Sequence, residues 1–408
     1  MTIQLTQDQK NAYQAISDLL MSKTEHMLVI SGFAGTGKTT LIDTVMREWP
    51  QLHAMGQGNI PKYDFHLTAT TNKAADALAN ATGRETGTIH AFLGLRVQNL
   101  GYNKTRLVDN RKQLPSGYVL VIDESSFIDD ELLDHIMHKT KGNKVIFLGD
   151  QYQLKPVGSD LTPVFDSGLK TSHLTKIVRQ SDNSPIQKLS VALRGHVAGD
   201  PMPKAGVNGT DIIHMPRDMF EQSFVNEAII APANSVRALA WTNKRAIHFN
   251  ELVAVARSGS TEIKVGDTAV VNKQIAIRDK YCFPTDSTLF IAGLTPWALD
   301  SNGVLSRQVT TNYGHVISQA QNHQDAVRII KKHYDDGNIS MAILLENTYC
   351  DLRLMYASTV NKSQGSTYDS VYIDLDNIGA CQDKDQVRRM LYVAVSRAKS
   401  KVVFTGDL

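Results

Sequence analysis

The chain has 408 residues, 42% hydrophobic and 21% charged, a balance that excludes fibrous, low-complexity and disordered classes. That length is too great for one ordinary core, so two or three domains are expected. A formal net charge of +2 neither demands nor forbids nucleic acid, because a basic groove can sit inside a neutral total. The opening MTIQLTQDQK has no apolar signal core and no apolar run approaches bilayer-spanning length, so a cytoplasmic protein without membrane contact is expected. Cys282, Cys350 and Cys381 lie far apart without metal-ligand spacing and read as reduced thiols.

In chain order, Thr6 and Gln9 of LTQDQKNA form a capping box for a helix bearing Ala12, Ile16 and Leu19. HMLVISGFAGTGKTTLIDTVM then sets a β-branched strand, Leu28 to Ile30, before a glycine-rich turn and a helix starting near Lys38. Gly32, Gly35, Gly37, Lys38 and Thr39 fit G-x-x-x-x-G-K-[ST], with Ala34, Thr36 and Thr40 in the same stretch. Such a turn curls backbone N–H groups around phosphate oxygens. Lys38 is expected to reach the β- and γ-phosphates and the Thr39 hydroxyl to hold Mg2+, which makes ATP and Mg2+ the expected cofactors.

A phosphate site of this kind needs one carboxylate for the metal and another for the attacking water. GYVLVIDESS supplies both, Asp123 and Glu124, at the carboxyl end of a buried strand from Tyr118 to Ile122, where ligands bind in an open parallel sheet. Asp123 is assigned to Mg2+ and Glu124 to the water. A third strand, KVIFLGD, runs into GDQYQLKPVG. There Gln153 is a neutral amide able to bond a γ-phosphate and lose that bond after hydrolysis; a turn residue before Pro156 is the plainer reading.

NSPIQKLSVALRG reads as a helix with Ser184 as N-cap, Pro185 first and Gly195 at its end. The strands VRALAWTN, VYIDL and KVVFTG follow. Two stretches interrupt this alternation. From Arg96 to Lys112 five Lys/Arg accompany a single acid, Asp109, around a hairpin near Gly101, a pattern that is most often a solvated surface. From Glu262 to Asp351, IKVGDTAVVNK, STLFIAGL and SMAILLE read as strand-like pieces and SQAQNHQDAVRIIKKHY as a helix.

With these elements in place the sequence resembles superfamily 1 helicases, and within them the RecD-like branch that includes the Dda-type phage helicases, over nearly the whole chain. LTQDQKNA resembles the adenine-contacting motif, with Gln9 as base reader, TATTNKAADAL motif Ia and TIH motif Ib. LTKIVRQ resembles motif IV, AWTNKRAIHFN the strand-loop-helix segment after it, STVNKSQGSTYDSVYID motif V, and LYVAVSRAKS motif VI. Thr70 stands where motif Ia often carries proline, and Asn361 where motif V often carries histidine.

The resemblance implies an α/β fold: two RecA-like P-loop domains with an inserted hairpin subdomain and an inserted SH3-like β-barrel. The first lobe would span 1–173 and contain a strand-separating pin at 91–117. The second would take 174–261 and 351–408, and the barrel 262–350. Catalysis then falls to Lys38, Asp123, Glu124, Gln153 and two arginines supplied across the cleft, Arg179 and Arg397, with Gln364 and Gly365 lining the same cleft. Thr71, Asn72, Thr88, His90, Tyr102, Thr242, Asn243, Thr359 and Asn361 become the DNA-contacting candidates, although isolated threonines and histidines are elsewhere caps or loop residues.

The implied function is an ATP-dependent DNA helicase moving 5′→3′ on single-stranded DNA in replication, recombination or repair. Its partners would be single strands and single/double-strand junctions, with a single-stranded DNA-binding protein or replisome components beside them. A monomer is expected, in the host bacterial cytoplasm if the source is viral. An RNA helicase of the same superfamily differs by contacts to the sugar 2′-OH, which a sequence does not display. A P-loop nucleotide kinase leaves the ordered downstream motifs unexplained, and a clamp with a vestigial ATPase does not account for the intact Lys38, Thr39, Asp123 and Glu124.

Overall fold

The computed structural model describes residues 4–33, 35–55, 60–101, 104–156, 162–176, 178, 184–232, 234–277 and 281–407. Ala34, Tyr102 and Arg179, three of the candidate site residues, lie outside the described residues. The first half builds α1 (Gln7–Met21), β1 (Met27–Gly32), α2 (Lys38–Ala54), β2 (Asp64–Ala69), α3 (Asn72–Thr82), β3 (Thr86–Thr88), α4 (Ile89–Leu93), β4 (Leu95–Gly101), β5 (Lys104–Asp109), β6 (Tyr118–Asp123), α5 (Asp130–Lys139), β7 (Lys144–Gly149), α6 (Pro163–Asp166) and β8 (Thr171–Leu174). Six of these strands form a parallel sheet in the order β3-β2-β6-β7-β1-β8. The strand β6 shows why: Val119 and Val121 enter one core cluster, while Tyr118, Leu120 and Ile122 enter another on the opposite face. A continuous apolar run is what a strand covered on both faces requires.

The chain continues through α7 (Pro185–Val197), β9 (Ile212–His214), α8 (Arg217–Ile230), β10 (Val236–Ala240) and α9 (Asn243–Ser258). It then makes β11 (Thr268–Val271), β12 (Ile275–Ile277), β13 (Tyr281–Phe283), β14 (Thr288–Leu294), β15 (Ala298–Leu299), β16 (Leu305–Thr311), β17 (Val316–Ala320), α10 (His323–Asp335), α11 (Ile339–Thr348) and β18 (Leu352–Leu354). It closes with β19 (Ala357–Thr359), α12 (Val360–Ser363), β20 (Tyr368–Asp374), α13 (Leu375–Gly379), α14 (Lys384–Ser396) and β21 (Ala398–Thr405). A second parallel sheet, β19-β10-β20-β21-β9, draws strands from both sides of the stretch between β11 and β18. That stretch forms its own antiparallel sheet, β15-β16-β14-β11-β18 with β17 beside β16. The ribbon β4-β5 pairs only with itself among the described residues, and α11 packs against β4. No described helix is long and apolar enough to cross a membrane.

Three sequence expectations are corrected. Gly195 does not end its helix: α7 runs on to Val197. A Cβ at Gly195 would lie 2.4 Å from Asp200 Oδ2, and the Asp200 amide donates to the Gly195 carbonyl, so the missing side chain admits the returning chain. SMAILLE is not a strand but part of α11, whose start is capped by Asn338: its side chain accepts from the Met341 amide. Ala342, Leu345 and Glu346 form the buried face of that helix. Within the stretch expected to be helical, Ser318, Gln319 and Ala320 instead complete β17, and the helix begins only after Asn322 caps it.

Candidate nucleotide cleft and nucleic-acid interface

The turn after β1 is shaped by backbone that only glycine adopts freely. Gly35 and Gly37 have φ of 85° and 79°, in the left-handed region. A Cβ on Gly37 would meet Gln9 Nε2 at 2.3 Å. Gln9 completes its capping box with Thr6 and also donates from Nε2 to the Thr36 carbonyl at 3.1 Å, so the cap anchors the side chain against the phosphate loop. Thr36 Oγ1 donates to the Phe33 carbonyl at 2.8 Å. The Lys38 ammonium turns onto the Gly32 and Phe33 carbonyls, oxygens of its own loop. Thr39 and Thr40 are half-buried in the first turn of α2.

Asp123 ends β6 and Glu124 follows with φ 53° and ψ 43°, a conformation uncommon for a residue with a side chain. The Glu124 amide donates to Asp123 Oδ1 at 2.8 Å, and Thr70 Oγ1 donates to the Glu124 carbonyl at 3.1 Å. Burial pushes the Asp123 carboxyl above its ordinary range, against the pull of Lys38 and the Glu124 amide. Burial, then the Asp123 charge, push the Glu124 carboxyl up to about 7, while Arg397 and Lys38 oppose that rise and Asp150 adds to it. Two crowded carboxyls that resist ionisation suit a site completed by cationic charge.

The second parallel sheet delivers the opposite wall. Gln364 Nε2 donates to Gln153 Oε1 at 3.0 Å, both side chains buried. Gln364 Oε1 is buried with no donor facing it. Gly365 has φ 74° and lies against Ala74 of α3. Arg397 is 4% exposed and its guanidinium donates to Ser396 Oγ at 2.9 Å and to the Val393 and Ser366 carbonyls. It is therefore a held, buried cation acting on Glu124, not a solvated charge closing an element.

Sequence reasoning misses Asp150, Arg389 and Tyr392. Tyr392 donates to Asp150 Oδ2 at 2.5 Å, and Arg389 Nη1 donates to the Gln151 and Gln153 carbonyls at 2.7 Å each. One signal does exist for Asp150: it is an acid at the carboxyl end of a fully buried strand, the same position that identifies Asp123.

Thr71, Thr88, Thr242 and Thr359 share one structural role. Each caps a helix at the end of a parallel strand, accepting from the amides of Ala74, Ala91, Arg245 and Lys362. Asn72 and Asn243 open α3 and α9, Asn361 sits in α12, and His90 in α4. Burial holds the His90 imidazole below its ordinary value. A cleft of about 590 Å³ separates α3 from the second parallel sheet and β11–β18. Asn243 and Thr359 line it; Thr71, Asn72, Thr88, His90, Thr242 and Asn361 do not. Its cations, Lys73, Arg237, Arg353 and Lys362, are not among the sequence candidates. A signal for the two lysines exists: T-N-K in TTNKA and T-V-N-K in TVNKS place them directly after Asn72 and Asn361, whereas Lys244 after Asn243 in WTNKR is not part of the lining.

Comparison with known proteins agrees with this geometry. Residues 4–208 match the AAA domain family and residues 354–405 the UvrD-like helicase C-terminal domain. The ATP-dependent DNA helicase dda of Enterobacteria phage T4 is 27% identical over 260 residues, covering 61% of this chain and 56% of that protein. The ATP-dependent DNA helicase RRM3 of Saccharomyces cerevisiae is 26% identical over 213 residues, 46% of this chain and 28% of that one. The chain thus spans less than two thirds of either relative's length. A Pif1 helicase structure concerned with unwinding of forked double-stranded DNA superimposes with a TM-score of 0.54 at 17% identity, covering 98% of this chain and 92% of the other.

Proposed function

We propose that this chain, which belongs to the RecD-like branch of the superfamily 1 helicases and carries their AAA domain at residues 4–208, is an ATP-driven DNA helicase. The observation that carries this reading is the hydrogen bond between Gln153, which follows β7, and Gln364, from the second parallel sheet, together with the charge cluster of Lys38, Asp123, Glu124 and Arg397. A kinase would need only the P-loop half; here residues from both lobes converge on one charge cluster.

The residues present fit ATP and Mg2+. The Lys38 ammonium, bonded to carbonyls of its own loop, is available to exchange them for phosphate oxygens. Thr39 and Asp123 would hold the metal, which when bound neutralises phosphate charge. Glu124 would accept the proton of the attacking water, Arg397 would face charge developing on the transferred phosphoryl, and the orphaned Gln364 Oε1 is free to accept a new donor. Opening and closing between the P-loop and the wall that carries Gln364 and Arg397 would shift the grip of each lobe on the strand in turn.

The cleft holding Asn243 and Thr359, lined by Lys73, Arg237, Arg353 and Lys362 against two acids, Asp76 and Asp286, suits a sugar-phosphate backbone read without sequence preference. We assign single-stranded DNA to it, 5′→3′ movement on that strand, strand separation to the 91–117 ribbon, and an SH3-like role to 262–350. A monomer acting at junctions in a bacterial cytoplasm, beside a single-stranded DNA-binding protein or replisome components, completes the reading. The test is unwinding of partial duplexes with 5′ or 3′ tails, in DNA and RNA versions, alongside ATP hydrolysis with and without single strands. Hydrolysis stimulated by DNA and unwinding from 5′ tails is the expected result. Equal hydrolysis without nucleic acid would refute the motor, and preference for RNA would move the substrate to the sister class.

A further inference from the structure

The segment Asp150–Lys155 follows β7 and so belongs by sequence to the first lobe. Its groups are bonded to the second. The Asp150 carboxylate accepts from Tyr392 of α14 at 2.5 Å and lies 3.5 Å from Arg194 of α7. Arg194 stacks on the Tyr152 ring, 4.3 Å from its centroid. Leu154 is 1% exposed and packed within the hydrophobic cluster of the second lobe. The Gln153 side chain meets Gln364.

Arg389 closes this arrangement. Its Nη1 donates to the carbonyls of Gln151 and Gln153, 2.7 Å each, while its Nε donates to Asp385 at 2.9 Å. Asp385 in turn lies 2.8 Å from Lys155. The loop is therefore gripped at its backbone and at its far end by one pair of residues a helical turn apart. A planar guanidinium can serve two carbonyls and a carboxylate together; an ammonium on a flexible stem matches that fork poorly.

We propose that Arg389 is a positioning residue that fixes Gln153 to the second lobe. The γ-phosphate-sensing amide then travels with Gln364 and Arg397, and the nucleotide site assembles and separates between this loop and the P-loop. Lys38 bonds only to carbonyls of its own loop among the described residues. Phe33 at the start of that loop lies under Arg194, 4.8 Å from its ring centroid, and shares the cluster of Leu154, a stacking contact that would part when the P-loop separates from this loop. This inference rests on the ATPase reading above for its function, though not for its geometry.

The test uses the full chain with Arg389→Gln and Arg389→Lys. Hydrogen exchange of the amides at 151–155 should accelerate about tenfold or more in Arg389→Gln, less in Arg389→Lys, with β1 and α2 unchanged. With saturating single-stranded DNA, kcat should fall by about ten- to a hundredfold in Arg389→Gln, as misplaced groups do. KM for ATP should stay within about twofold, and Arg389→Lys should recover part of kcat. Combined with Gln153→Ala, Arg389→Gln should add little further loss, because both changes remove one interaction. Unchanged exchange at 151–155, or fully additive kinetic losses, would overturn the assignment. A wild-type chain that hydrolyses no ATP would defeat the helicase reading, while the exchange comparison would still decide the clamp.

Discussion

Gln364 donates to Gln153 at 3.0 Å, joining two buried amides 211 residues apart in sequence. Both groups are neutral, so the bond can be exchanged for phosphate oxygens without stranding a buried charge. Gln364→Ala should reduce DNA-stimulated turnover by about ten- to a hundredfold, in line with losing a group aligned on the reacting centre. Gln364→Glu should be worse than alanine above pH 7, since it adds an anion beside the Glu124 cluster. Steady-state hydrolysis at pH 6 and pH 8 measures this; equal losses for both variants at both pH values would show that the amide is mere packing.

Arg397 is both a catalytic candidate and a structural hub. Its removal takes a donor from the Ser366 carbonyl and Ser396 Oγ, and one of two from the Val393 carbonyl, which still accepts from Ser396 Oγ at 2.7 Å. Arg397→Ala should therefore lower turnover by about a thousandfold, as for an arginine facing a transferred phosphoryl, and also cost about 1–3 kcal/mol of stability. A surface charge would do neither. Single-turnover hydrolysis and a thermal melt separate the two effects, and Lys38→Ala, whose ammonium bonds only loop carbonyls among the described residues, should abolish turnover with the fold intact.

The P-loop, Asp123, Glu124 and the capping box are legible in the sequence because their chemistry is local: a few adjacent residues specify each strand end or helix start. Gly195 and SMAILLE mislead because Asp200 and the Asn338 cap decide them, and six apolar or small residues in succession carry no clear period. Asp150 shows in the sequence only as an acid at a strand end, and Arg389 and Tyr392 are illegible for a different reason. Their partners lie more than two hundred residues away, and only the meeting of two sheets makes them neighbours. The threonine candidates stand between: their motif positions are visible, yet each hydroxyl also satisfies a helix amide, so capping alone would account for four of them.

The cations of the cleft invite a separate test. Lys73 reaches the Tyr368 phenol at 3.4 Å, and Lys362 contacts Asn272 and Asp286. Their ammonium groups line the space assigned to the strand. Lys73→Ala and Lys362→Ala should each weaken single-stranded DNA binding at low salt. Each should also flatten the plot of log affinity against log salt by about 0.7 for every phosphate no longer neutralised. Fluorescence anisotropy across a salt series measures the slope. An unchanged slope would place the strand elsewhere.

Glu124 makes activity and stability depend on pH in opposite directions. Its carboxyl is raised to about 7 in the ligand-free chain, first by burial and then by Asp123, and a base role requires the ionised form. Mg2+ at Asp123 favours that form, so basal hydrolysis should rise with pH and level off below about 7, and Arg397→Ala, which removes an opposing cation, should move the midpoint upward. For stability the sign reverses. A folded-state value above the unfolded one means the native chain binds more protons between roughly 4.5 and 7. The associated stability is fully present below that window and lost as pH rises through about 7. Glu124→Gln stays neutral throughout, so its unfolding free energy should lack this decline and exceed that of the wild type at pH 8. Denaturant titrations at pH 5, 6, 7 and 8 check it, and parallel curves for the two proteins would mean that Glu124 ionises as freely folded as unfolded.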